Sequence, residues 1–133
     1  MAGSLEWRIT TLPGRPTVLE ISVSGYISVA DLQGEYGLTL NQQLAAGRGQ
    51  LGLLFIASRL QGMELSLPTA HASLLLPYMQ RVQAVATVSG SAFVRFGMAS
   101  ASLVLSRKFR TFDSREEALA WLLGAATEVQ RGK

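Results

Sequence analysis

The chain has 133 residues, a formal net charge of +3, no cysteine and one histidine. This length fits a single compact domain spanning residues 1–133, and a composition that is 48% hydrophobic and 16% charged excludes a disordered chain. The lack of cysteine excludes disulfides, thiolate nucleophiles and cysteine-ligated metals, and one histidine is too few for a multi-histidine metal site.

The first third of the chain predicts a β-hairpin followed by a helix. Residues 7–12 and the β-branched run 17–27 predict two strands, which the proline- and glycine-rich turn 13–16 joins. Ser28 is a typical N-cap for a helix that ends near Gly47. The apolar stripe of that helix repeats every four residues and consists of Leu32, Tyr36, Leu40 and Leu44.

The middle of the chain predicts two further strands and a broken helix. Residues 51–57 are almost all apolar, as is typical of a strand buried on both faces. After a polar stretch, a second helix begins at Pro68, and Pro77 is expected to kink or split it. Residues 82–89 predict the fourth strand.

The last third predicts a helix, a strand and a well-capped final helix. The third helix follows Ser91, and residues 108–112 form the last strand. Ser114 and Glu117 have the spacing of a capping box. The alternation of short strands with helices predicts an α/β domain, with a mostly parallel sheet of about five strands, an N-terminal hairpin and about four helices.

Two stretches resemble a known family. Residues 53–63 are similar to the third strand and following loop of the SpoIIAA-like branch of the STAS superfamily, and residues 104–122 resemble its last strand and helix. This resemblance implies a STAS-like fold and a non-catalytic bacterial regulatory or scaffolding protein. The protein would act by binding protein partners, such as a kinase or another signalling protein, and as a homodimer.

The same resemblance makes Ser66 the candidate phosphoacceptor. Regulatory members carry a phosphorylated serine in an Asp-Ser-Ser-Gly-like turn, where Glu64 and Ser66 take the acidic and serine positions here. Leu65 and Leu67 break the pattern. The alternative is that Ser66 only caps the second helix.

An anion or small-molecule site is the second candidate. In open α/β sheets, ligands bind beyond the carboxyl ends of the strands, and a serine–glycine turn before a helix offers backbone donors. An ordinary strand-to-helix turn is the alternative. The residues expected there are Ser58, Arg59, Ser89, Gly90 and Ser91.

The second and third helices have more apolar residues than one sheet face can cover, which predicts a partner surface. An apolar, lipid-like ligand held between sheet and helices, or simple core packing, would also account for the excess. Residues 65–112 contain five basic side chains and no acidic one, which would suit an anionic partner. The predicted partner surface comprises Leu75, Tyr78, Met79, Phe93, Arg95, Phe96, Met98 and Arg107.

Other chemistry has little support. The GxGxxG pattern at 47–52 follows a helix and precedes a strand, the reverse of the dinucleotide-binding order. His71 lacks a nucleophile motif and is expected to be structural or solvent-facing, so a hydrolase is remote. We expect no catalytic residues, cofactor, metal, nucleic acid or membrane span, and a soluble cytoplasmic protein, because there is no signal peptide or long apolar run.

Overall fold

The strands form one sheet whose order follows the chain. A computed structural model describes residues 5–14, 16–46, 49–89 and 108–131. The strands β1 (Glu6–Leu12) and β2 (Thr17–Ile27) form the predicted antiparallel hairpin. The strands β3 (Leu51–Met63), β4 (Val82–Val88) and β5 (Lys108–Phe112) continue the sheet in parallel. The order β1-β2-β3-β4-β5 confirms the predicted mostly parallel sheet.

The first predicted helix is two helices, which corrects the sequence interpretation. α1 (Val29–Gln33) and α2 (Glu35–Ala46) are separated at Gly34, whose extended backbone interrupts the helical hydrogen bonds. Gly37 allows the tight junction, because a Cβ at this position would lie 1.7 Å from the carbonyl oxygen of Leu32. A four-residue apolar period does not reveal such a break, since both helices keep the same face toward the core.

The other described helices begin and end near their predicted positions. α3 (Leu67–Leu75) is followed by a 3-10 turn (Leu76–Tyr78) that contains Pro77, which confirms the predicted split. α4 (Arg115–Arg131) begins at the predicted cap, where the Glu117 N–H donates to Ser114 Oγ at 3.2 Å. The helix predicted after Ser91 lies outside the described residues.

β3 is longer than its apolar run, which also corrects the sequence interpretation. Its last pair with β4 is Ile56–Val88, but it continues beside β2 as far as the Ile27–Met63 pair. We call this two-stranded extension, residues 24–27 with residues 59–63, the ribbon. Because residues 59–63 pair with β2 alone, they do not need the two-sided apolar pattern that identifies the first half of β3.

The sheet separates two apolar cores. The α1–α3 side buries Leu53 and Phe55 of β3 together with three of the four predicted stripe residues of the first helical segment; the fourth, Leu32, packs against them. The α4 side is smaller and buries Leu54 under Ala118 and Leu122. The buried stripe residues are Tyr36, Leu40 and Leu44.

An ion pair joins the start of α4 to β2. The Arg115 Nε and Nη2 atoms donate to the two carboxylate oxygens of Glu20 at 2.7 and 2.9 Å. The hydrogen bond to Arg115 is the main reason that the pKa of Glu20 lies below its usual value. Fork-to-fork geometry of this kind fixes the orientation of both groups, so the start of α4 is anchored to β2.

Candidate functional site

His71 is half-buried, on the face of α3 that meets the sheet. Its Nε2 lies 2.7 Å from the Tyr36 hydroxyl, and its ring contacts the Phe55 ring edge-to-face with centroids 5.2 Å apart. Trp7 of β1 completes the cluster with an edge contact of 5.8 Å to the Tyr36 ring. These contacts favour the structural alternative for His71 over the solvent-facing one.

Burial keeps this pair neutral. It lowers the pKa of His71 from 6.5 to about 4 and raises the pKa of Tyr36 well above its usual value. In a neutral imidazole Nε2 can donate or accept, and here it is engaged by the Tyr36 hydroxyl. This arrangement holds α2 and α3 together and does not resemble a hydrolytic site.

The ribbon ends in an exposed loop that contains the candidate phosphoacceptor. Glu64 follows β3, and one of its carboxylate oxygens accepts the Val29 N–H at the start of α1 at 3.0 Å. The other oxygen is 3.5 Å from the hydroxyl of Ser66, whose side chain makes no helix-capping hydrogen bond. Between them, Leu65 is 86% exposed. The capping alternative for Ser66 thus has no hydrogen bond to support it.

The predicted anion-site residues have different environments. Ser58 and Arg59 are exposed, just beyond the last β3–β4 pair. Ser89 is fully buried after β4, and its N–H donates to the Phe112 carbonyl at 3.1 Å. Thr87, two residues earlier on the same face, is also buried, and its hydroxyl has no hydrogen-bond partner among the described residues. Gly90 and Ser91 lie outside the described residues.

The predicted partner surface is partly wrong. Leu75 and Met79 are only 2% and 5% exposed because they face the α1–α3 core, so neither is available to a partner. Tyr78 is half-buried, and its hydroxyl donates to Asn41 on α2. The remaining members lie outside the described residues: Phe93, Arg95, Phe96, Met98 and Arg107.

Two cations of the basic stretch have structural contacts. Arg81 donates to the carbonyl oxygens of Gly49 and Leu44 at 2.9 and 2.6 Å, which ties the end of α2 to the start of β4. Arg110 packs its guanidinium over the Phe112 ring, 5.4 Å from the centroid. These contacts within the chain explain two of the five basic side chains, so an anionic partner protein is not needed to explain them.

An open polar groove lies on the other face of the sheet, beside the part that α4 covers. It has a volume of about 420 Å³, and the Glu20–Arg115 pair forms one wall. Its lining is mostly polar, and Leu12 is the one apolar side chain in it. The other lining residues are Arg8, Thr10, Leu12 and Ser22.

The part of the chain that the structure describes contains neither a cluster of metal ligands nor a membrane-spanning helix. Within it, no three side chains of His, Asp or Glu come close enough together to hold a metal ion. No helix in the same residues has both the length and the apolar character needed to cross a membrane.

Comparison with known proteins identifies the family. The SpoIIAA-like family model matches residues 18–123, which is most of the chain. The chain belongs to the SpoIIAA-like family. This confirms the STAS-type resemblance seen in residues 53–63 and 104–122. No curated protein matches the sequence.

A solved structure shows the same fold. The SpoIIAA-like domain is similar to an uncharacterized protein of the DUF3478 family, with a SpoIIAA-like fold, from Shewanella loihica PV-4. The TM-score is 0.71 at 18% identity, and the match covers 92% of this chain and 98% of that chain. At this identity the similarity concerns the fold, including the hairpin and the parallel sheet.

Sequence reasoning missed the Tyr36–His71 contact, although a signal was present. Leu67, His71 and Leu75 are spaced four residues apart, so a helix that buries both leucines also places His71 on its buried side. The partner could not be predicted from spacing, because Tyr36 is 35 residues away in sequence.

We predict that His71 makes the SpoIIAA-like domain less stable as the pH falls. Because burial lowers its pKa from 6.5 to about 4, the unfolded state binds more protons than the folded state between these values. The free energy of unfolding therefore falls on acidification, by up to about 1.4 kcal/mol per pH unit from this group. Urea unfolding of the wild type and His71→Gln should show a flatter pH dependence in the variant; equal slopes would contradict a buried, neutral histidine.

Proposed function

We propose that this SpoIIAA-like protein is a non-catalytic cytoplasmic regulatory or scaffolding protein that binds a signalling protein, such as a kinase, at the tip of the ribbon. The observation that carries the proposal is the 86% exposure of Leu65, directly beside Ser66. A leucine that remains almost fully exposed in a folded domain gains free energy when a partner covers it.

The neighbouring ribbon supports this surface. Tyr26 is 39% exposed and lies one residue before the end of β2, opposite Gly62. The lack of a side chain at Gly62 leaves room for the Tyr26 ring, which would come within 3.2 Å of a Cβ there. A tyrosine held in place in this way is a typical anchor residue in protein interfaces, because little conformational entropy is lost on binding.

An exposed cation at the base of the ribbon favours a carboxylate on the partner. Arg59 is exposed within the ribbon and forms its strand pair with Ser24. Glu64 is engaged with the start of α1. A partner that places an apolar pocket over Leu65 and a carboxylate near Arg59 would complement this surface.

Replacing Leu65 should abolish partner binding without unfolding the protein. Leu65→Asp puts a charge where the partner has an apolar pocket, and an anchor of this kind contributes about 2 kcal/mol or more. Leu38→Asp is the matched control, because Leu38 is also exposed (59%) but lies on α2. In affinity capture from the native host, we expect a partner with the wild type and Leu38→Asp only. A partner that Leu65→Asp retains equally well would refute the proposed surface.

We propose that phosphorylation of Ser66 acts through Glu64. A phosphate adds about −1.5 to −2 charges, and the Ser66 hydroxyl is 3.5 Å from a carboxylate oxygen of Glu64. Repulsion would push Glu64 away from the Val29 N–H, which it caps at 3.0 Å. The start of α1 would then lose an acceptor, and the loop that carries Leu65 would change its position.

Hydrogen exchange can test this coupling. Ser66→Glu should increase exchange at the Val29 amide and over α1 by severalfold, whereas Ser66→Ala should leave it unchanged because the hydroxyl caps nothing. Intact-mass measurement of protein from the native host tests whether phosphate is added at all. Equal exchange in both variants would show that Ser66 and Glu64 are not coupled.

A second candidate function is binding of an anionic or apolar small molecule between sheet and helices. The observation that favours it is the buried Thr87 hydroxyl without a partner, at the carboxyl end of β4. An unpaired buried hydroxyl costs stability, and such groups deserve a functional explanation. A ligand with a hydrogen-bonding group at this place would satisfy it.

Thr87→Val tests whether the hydroxyl is unpaired in the ligand-free protein and whether a small molecule binds to it. The variant has the same shape without the hydroxyl, so we expect the ligand-free protein to gain about 1 kcal/mol in thermal or urea unfolding. If a small molecule uses the hydroxyl, native mass spectrometry should detect it on wild type purified from the native host and find less on the variant. A loss of stability in Thr87→Val would show that the hydroxyl is already paired.

A further inference from the structure

The strand β1 forms a regular, open edge of the sheet. All seven residues from Glu6 to Leu12 pair with β2, with no bulge or shift in register. In the sheet that the described residues form, no strand lies on the other side of β1. Every second residue of β1 therefore directs its backbone N–H and C=O away from the sheet.

Proline, lysine and a bulge, three of the usual protections of an edge strand, are absent from β1. Natural edge strands avoid pairing with a further strand by carrying proline, lysine or a bulge. The sequence of β1 contains none of these, and its charged residues are Glu6 and Arg8. These two exposed residues have opposite charge and, being two apart, lie on the same face of the sheet.

The charges select one register for pairing with a second copy. If the two-fold axis passes through Trp7, Glu6 lies opposite Arg8 of the second copy, and the symmetric pair repeats the attraction. An axis through Arg8 would place two arginines opposite each other, and an axis through Ile9 would leave both charges unpaired. Opposite charges stabilise a cross-strand pair and like charges destabilise it.

The other face of β1 fits the same register. Leu5, Trp7 and Ile9 are partly buried and pack against the α1–α3 core. With the axis at Trp7, Leu5 lies opposite Ile9 of the second copy and the two Trp7 side chains are neighbours, so apolar groups meet only apolar groups. Register in a sheet with one buried face is determined by such matching.

We propose that β1 pairs antiparallel with β1 of a second copy, in the register centred on Trp7, and so joins the two sheets. This interface gives the predicted homodimer a defined structure. It does not include the tip residues Leu65 and Ser66, so it stands or fails separately from the proposed partner surface.

Reversing the charges of Glu6 and Arg8 tests the proposal. Sedimentation velocity across a wide concentration range measures the fraction of dimer. We expect the wild type to dimerise, and Glu6→Arg and Arg8→Glu each to weaken dimerisation by about tenfold or more, because each variant places like charges opposite one another twice. An equimolar mixture of the two variants should restore dimers, because each then faces its opposite charge. The double variant Glu6→Arg/Arg8→Glu should also dimerise, and these two restorations exclude misfolding as the cause.

Further single substitutions provide controls and test the register of the paired strands. Arg110→Glu reverses a charge on the opposite edge strand, β5, and should not change dimerisation; neither should Leu65→Asp. Since the chain has no cysteine, Trp7→Cys should form a disulfide-linked dimer on oxidation. Ile9→Cys should not, because four residues separate the two positions along the paired strands, about 13 Å. A wild type that stays monomeric at all concentrations, a mixture that fails to restore dimers, or cross-linking at Ile9→Cys but not Trp7→Cys would overturn the proposal.

Discussion

The structure depends on burying the first half of β3 on both faces. Leu53 and Phe55 face the α1–α3 core, while Leu54 faces α4. Leu122 of α4 packs over Gly52, where there is no side chain to displace it. A single strand therefore links the helical layers on the two faces of the sheet. The position of α3, including the contact between His71 and Phe55, follows from it.

Patterns that span one element could be read from the sequence. The run at 51–57 predicts a central strand because burial on both faces leaves no place for polar residues. The spacing of Tyr36, Leu40 and Leu44 predicts the buried face of α2, and Ser114 with Glu117 predicts the start of α4. In each case the signal and the structure lie within a few neighbouring residues.

Features that depend on a distant neighbour could not be read in this way. The end of β3 is set by pairing with β2, which supplies backbone hydrogen bonds whether or not the ribbon is apolar. The burial of Leu75 and Met79 depends on the sheet beneath them. The break between α1 and α2 is different, because it is local to Gly34 but hidden by the four-residue apolar period. An apolar excess in helices can form a second core as easily as a partner surface, and here part of it belongs to the core.

The polar groups near the core differ in their hydrogen bonding. Tyr36 and His71 have a structural contact, whereas the Thr87 hydroxyl near the end of β4 has none among the described residues. The Tyr36 hydroxyl and His71 Nε2 are hydrogen-bonded to each other. Thr87 is buried without such a partner. This difference is why the Tyr36–His71 pair supports a stability argument, whereas Thr87 supports a ligand.

The geometry of β1 pairing limits how a dimer could use its two ribbon tips. Antiparallel pairing of identical edges places the two-fold axis perpendicular to the sheet, so both α4 helices lie on the same face and the two tips point in opposite directions. One compact partner cannot reach both tips, and a dimer gains no avidity for it. Binding at one tip could then affect the other only through contacts inside the protein. These contacts lead from Trp7 at the dimer interface through Tyr36 and His71 to α3, which begins one residue after Ser66. Because that route is closely packed, we expect the two tips to bind their partners independently.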